Sequence, residues 1–82
     1  MKISVLFFSI FREKTGRSEL SLSLPSADAT VAVALEEIFY QFDALRSWEE
    51  KMLIAVNCEY AENSTSLKDG DELALMPPVQ GG

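Results

Sequence analysis

The chain has 82 residues, 48% hydrophobic and 24% charged, with seven basic against thirteen acidic side chains and a net charge of −6. That length supports one small domain near the lower limit for a self-sufficient core, and the acidic balance excludes the basic face that nucleic-acid binding needs. The single cysteine, Cys58, excludes an internal disulfide and fits a reducing, cytoplasmic setting.

The first element is the apolar run 3–11. It contains Ser4 and Ser9, leads into Arg12-Glu13-Lys14 without a small-residue cleavage site, and is too short to cross a bilayer. It reads as a strand over 2–11, with Ile3, Val5 and Phe7 on one face and Ser4, Leu6 and Phe8 on the other. No membrane partner is expected. Thr15-Gly16 marks a turn within 12–18, and 19–24 alternates Leu20, Leu22 and Leu24 inward with serines outward, which closes a hairpin. After the turn formers of 25–29, Thr30 is the expected N-cap of a helix over 31–42. Val31, Ala34, Leu35, Ile38, Phe39 and Phe42 would cover a sheet, with Glu36, Glu37 and Gln41 on the wet side.

Residues 43–51 form an irregular stretch or short helix anchored by Leu45 and Trp48. A third strand covers 52–57 and closes in the turn Asn57-Cys58-Glu59. Residues 60–67 cross back as a polar loop with Leu67 as a core plug. Within 68–72, Gly70 takes a positive φ in a tight turn. The last strand, 73–76, points Leu73 and Leu75 inward and Ala74 and Met76 outward. Pro77 and Pro78 then end the ladder, because neither donates a backbone hydrogen bond. The first and last strands are expected side by side, in a mixed sheet packed against one main helix. The fold class is α+β, a roll, with a domain over 1–76 and a flexible tail over 77–82.

Catalytic equipment is thin. There is no histidine, so the commonest general base and metal ligand is missing, and Cys58 has no histidine to pair with. The glycines fall at 16, 70, 81 and 82, in no phosphate-binding pattern. Glu36-Glu37 and Glu49-Glu50 are sequence neighbours that diverge on a helix, which makes them solvated charges. Cys58 reads as an inert turn residue and Trp48 as a core anchor.

Two features remain. Gly81-Gly82 closes the sequence with no side chain beside its carboxylate, a shape that threads a narrow channel. Leu6, Phe8 and Met76 fall on the sheet face away from the helix. One helix cannot cover both faces, so this apolar face calls for a partner, with Tyr60 at its rim, unless loop 43–51 or 59–67 folds over it.

Val5-Leu6-Phe7-Phe8 leading to Arg12-Glu13, Thr30-Val31, Ala55-Val56-Asn57 and Leu67-Lys68-Asp69-Gly70-Asp71-Glu72 precede the closing Pro77-Pro78-Val79-Gln80-Gly81-Gly82. In that order they resemble, over nearly the whole chain, the small subunits of molybdopterin synthase, the MoaD family of ubiquitin-like sulfur carriers. The resemblance implies a β-grasp fold and a role in molybdenum cofactor biosynthesis. It implies that Gly82 is adenylated by an E1-like, MoeB-like partner enzyme using ATP and then converted to a thiocarboxylate, with Gly81 giving access. The tail then enters the large, MoaE-like subunit and supplies sulfur to cyclic pyranopterin monophosphate (precursor Z), forming the dithiolene. Partner contacts would map onto Phe8, Tyr60, Met76, Pro77, Pro78, Val79 and Gln80, and this chain would bind no cofactor or metal itself. Related readings are a carrier for another thio-cofactor such as thiamine, a ubiquitin-like protein modifier, and a plain β-grasp binding module.

Overall fold

β1 (Lys2–Phe7) and β5 (Glu72–Met76) run parallel, side by side, at the middle of a five-stranded sheet in a computed structural model that describes residues 1–25 and 27–78. β2 (Glu19–Ser23) flanks β1 antiparallel, and β3 (Leu53–Val56) flanks β5 antiparallel with the short β4 (Glu59–Tyr60) outside it. The resulting order β2-β1-β5-β3-β4 is mixed, as expected, and is the β-grasp arrangement.

The register explains the core. Ile3 pairs with Leu22, Val5 with both Leu20 and Leu73, and Phe7 and Ile54 with Leu75. Because side chains alternate along a strand, these pairs share one face. Across it lies α2 (Val31–Gln41), burying Val31, Ala34, Leu35, Ile38 and Phe39. Leu67 is buried as the expected plug, and Gly70 has φ +89° in its turn. Among the described residues no polar or charged side chain is buried, and no helix is long and apolar enough to cross a membrane.

Four expectations change. The first strand stops at Phe7, not residue 11, because Ser9 takes φ +55° and the chain turns into α1 (Ile10–Thr15). That helix swings Phe11 into the core, where its ring meets Trp48 edge-on at 5.4 Å. Thr30 sits at the N-cap position, but its side chain makes no capping hydrogen bond. The orphan N–H groups of Val31 and Ala32 instead donate to the Thr65 and Asn63 carbonyls, each at 2.9 Å, so a distant loop caps the helix. The helix ends at Gln41, leaving Phe42 as a half-buried C-cap against Phe7. Tyr60 belongs to β4, not to a loop. Residues 43–51 settle as a 3₁₀ helix (Asp43–Trp48) and a turn, with Leu45 buried and Trp48 half-buried, as their apolar spacing predicts.

Candidate functional site

The sheet face turned away from α2 is the site. Ser4 and Leu6 of β1, Glu72, Ala74 and Met76 of β5, and Leu53 and Ala55 of β3 fall on it through the same alternation that buries their neighbours. Composition grades across the sheet. On the β2 side Leu6 faces Glu19 and Ser4 faces Ser21, whereas on the β3 side Ala74 faces Ala55 and Met76 faces Leu53. The apolar half is therefore set over β5 and β3.

That half is concave. Cross-strand partners Ala55 and Ala74 have only methyl side chains and form a floor, while Phe8, Tyr60 and Met76 rise around it to enclose a hollow of about 300 Å³. Phe8 is 40% exposed and Tyr60 77% exposed, and Leu6 and Met76 are half-buried. Each wall is held by backbone. The Phe8 N–H donates to the Leu75 carbonyl at 3.2 Å, and Tyr60 is registered against Ala55. Neither suspected loop covers the hollow. The 3₁₀ segment packs on the helix side, where Trp48 meets Phe11 and Arg46 lies over the Phe39 ring at 5.5 Å. The 61–66 loop is engaged in capping α2.

The turn that presents Tyr60 is built from two residues at positive φ, Asn57 at 51° and Cys58 at 71°. This is the mirror-image turn that matches the twist of a tight hairpin. Asn57 is fastened through its side chain: its amide nitrogen donates to Asp71 Oδ1 at 2.9 Å, and its Oδ1 accepts from the Glu72 N–H at 3.0 Å. Asp71 Oδ2 in turn accepts from the Lys68 N–H at 2.8 Å. The 57–60 hairpin and the 68–72 turn are thus one hydrogen-bonded unit, and it positions one wall of the hollow.

Phe8, Tyr60 and Met76 are brought together as the sequence indicated. Pro77 and Pro78 follow Met76 directly and are half-buried. Val79, Gln80, Gly81 and Gly82 lie outside the described residues. Ala55, Glu72 and Cys58 also line the hollow, and sequence reasoning missed all three. The phase of Ala55 against Ile54 would have placed it; Cys58 arrives only through the positive-φ turn, which a cysteine does not signal. Among the described residues that line the hollow, Glu72 is the one carboxylate. Among the described residues no three His, Cys, Asp or Glu side chains come close enough to hold a metal. What the hollow offers is apolar area and shape, the chemistry of a partner surface.

Residues 5–82 match the model of the ThiS family. A molybdopterin synthase sulfur carrier subunit from Arabidopsis thaliana is 37% identical over 82 residues, spanning all of this chain and 84% of that protein. Among solved structures, SAMP1 from Haloferax volcanii, a small archaeal modifier protein, superposes with a TM-score of 0.89 at 29% identity, all of both chains being covered. A chain in the complex of subunits 1 and 2 of molybdopterin-converting factor from Helicobacter pylori superposes with a TM-score of 0.68 at 30% identity, again over all of both chains.

Proposed function

The chain belongs to the ThiS family, and on that premise we propose that it is the sulfur carrier subunit of a molybdopterin synthase. The observation that carries the reading is contiguity. Met76 is both a wall of the apolar hollow and the last residue of β5, so a partner docked there sits where the segment 77–82 begins, at Pro77. In an extended, polyproline-like form those six residues reach roughly 18 Å, far enough to enter a neighbouring active site. Pro77 and Pro78 lower the conformational entropy lost when such a segment is ordered.

The reacting group in this reading is the carboxylate of Gly82. A carboxylate resists nucleophiles, so it must be activated. An E1-like enzyme joins it to AMP from ATP with release of pyrophosphate, and a sulfur donor then displaces AMP to leave a thiocarboxylate. ATP is bound by that enzyme and not by this chain. In the large synthase subunit the thiocarboxylate sulfur bonds to cyclic pyranopterin monophosphate, and water then cleaves the acyl–sulfur bond, leaving the sulfur on the pterin and returning Gly82 as carboxylate. Phe8, Tyr60 and Met76 hold the partner while Gly81 lets the end pass a narrow channel. The homologous Helicobacter chain, solved in complex with its second subunit, supports this division of labour. A cytoplasmic location follows from the same reading and is supported by the single free cysteine.

Intact-mass measurement tests it. Incubation with the activating enzyme, ATP and a sulfur donor should yield a species with one oxygen replaced by sulfur. Its absence when all three are active defeats the carrier reading. The likeness to SAMP1 favours a second reading, in which Gly82 is joined to lysines of other proteins. Covalent ladders that contain this chain, with no thiocarboxylate, would select it.

A further inference from the structure

Four large apolar side chains stand exposed among the described residues: Phe8, Tyr60, Val33 and Tyr40. The first two line the hollow. Val33, 40% exposed, and Tyr40, 85% exposed, lie on α2, on the side of the helix turned from the sheet. With Glu36 and Glu37 they occupy positions i, i+3, i+4 and i+7, a single stripe along the helix. Pro25, in the connector after β2, faces them across a groove of about 330 Å³.

The fold makes little use of this stripe. The core residues of α2 are on its other face. Tyr40 has no hydrogen bond or ring contact among the described residues, and Glu37 has no ion pair. Glu36 meets Arg46 at 3.7 Å, both side chains being largely in solvent, which is a weak tie. Glu36 and Glu37 line the same groove as Val33, Tyr40 and Pro25, so it presents negative charge beside apolar surface, which is complementary to a partner carrying both apolar and basic side chains. Val33 and Tyr40 are two helical turns apart, about 10 Å, the spacing at which a facing helix also repeats its apolar positions.

We propose that this groove docks a basic amphipathic helix of a partner protein, with apolar side chains against Val33, Pro25 and Tyr40 and arginine or lysine side chains against Glu36 and Glu37. The groove is on the opposite layer from the hollow, so both surfaces bind at once. This inference does not depend on the sulfur-carrier reading.

The test follows backbone amide shifts of the full chain against a short synthetic helical peptide with leucines two turns apart and arginines between them. Saturable shifts confined to Val33, Glu36, Glu37, Tyr40 and their neighbours, with Ala74 and Met76 unmoved, are expected. The Y40S/E37Q variant should bind at least tenfold more weakly with an unchanged melting curve, and V33S serves as an independent check. Shifts spread evenly to Glu49, Glu59 and Glu62 would reduce the effect to general charge attraction and overturn the proposal. So would equal binding of a peptide with glutamates in place of the arginines. Concentration-dependent shifts of α2 without any peptide would assign the groove to a second copy of the chain instead.

Discussion

Asn57 donates to the Asp71 carboxylate at 2.9 Å across fourteen residues of sequence, and in doing so ties the hairpin that carries Tyr60 to the turn that starts β5. Asn57 is at φ 51°, a conformation that costs most L-residues about 1–2 kcal/mol and glycine nothing. Two terms are therefore separable. Asn57→Gly loses the side-chain hydrogen bonds at a cost of about 1 kcal/mol. Asn57→Ala loses them and adds the backbone strain, for about 2 kcal/mol. Urea denaturation of both variants checks the order; if glycine is as damaging as alanine, the left-handed backbone is not what Asn57 supplies.

Phe7 and Phe8 are consecutive and point to opposite faces. Phe7 is buried against Phe42 at a ring separation of 5.7 Å, whereas Phe8 stands at the hollow. Phe7→Ala should cost about 3–5 kcal/mol, enough to unfold a domain of this size. Phe8→Glu should cost under about 1 kcal/mol, yet weaken binding to the large synthase subunit at least tenfold, a charge having been set into an apolar contact. Thermal melts alongside calorimetric titration separate the two. Comparable unfolding in both variants would make Phe8 a core residue.

Ala74 and Ala55 give the hollow its depth, so the depth itself can be removed. Ala74→Phe places a ring over the floor without touching the buried face of β5, where Leu73 and Leu75 reside. A partner that inserts a side chain between Phe8, Tyr60 and Met76 should lose about 2 kcal/mol or more of binding, with stability changed by less than about 1 kcal/mol. Unchanged binding would mean that the partner rests on the rim and leaves the floor empty.

Much of this arrangement was legible because strand alternation carries two messages at once. The phase that buries Val5 and Leu75 also sends Leu6 and Met76 to the other face, so the hollow follows from the core. Phe11 illustrates a limit. It falls in phase with Phe7, so a strand running to residue 11 would bury it too; only Ser9 at φ 55°, a conformation serine does not advertise, shows that a helix does the burying. β4 escaped notice for a similar reason. Two residues are too few to alternate, and the turn before them uses Cys58 at positive φ in place of glycine. The capping of α2 by Thr65 and Asn63 is a contact across more than thirty residues, which no local signature at Thr30 could reveal.

Phe11 and Trp48 cross edge-to-face, 84° between planes, and join α1 to the 3₁₀ segment. Aromatic pairs in this geometry contribute about 0.5–1.5 kcal/mol beyond their buried area. A double-mutant cycle with Phe11→Leu and Trp48→Leu should return a coupling in that range. A coupling near zero would mean that each ring is held by its own burial and that the two segments dock independently.

The core closes before the tail begins. Leu75 is the last buried residue among those described, and the sheet ends at Met76. Removing Gly82 leaves the contacts among the described residues in place, and the melting temperature is expected to stay where it was. Its effect should appear in chemistry. The shortened chain ends on Gly81, so its carboxylate stops one residue, about 3 Å, short of an extended reach. Reacting groups misplaced by as little as 1 Å can lose about a hundredfold in rate, and adenylation by the activating enzyme should fall by at least that factor in ATP–pyrophosphate exchange. Binding through Phe8, Tyr60 and Met76 should persist, so the truncated chain becomes a competitive inhibitor of the intact one. Retained exchange would move the reacting carboxylate away from Gly82, and lost inhibition would separate the hollow from the partner that reads the tail.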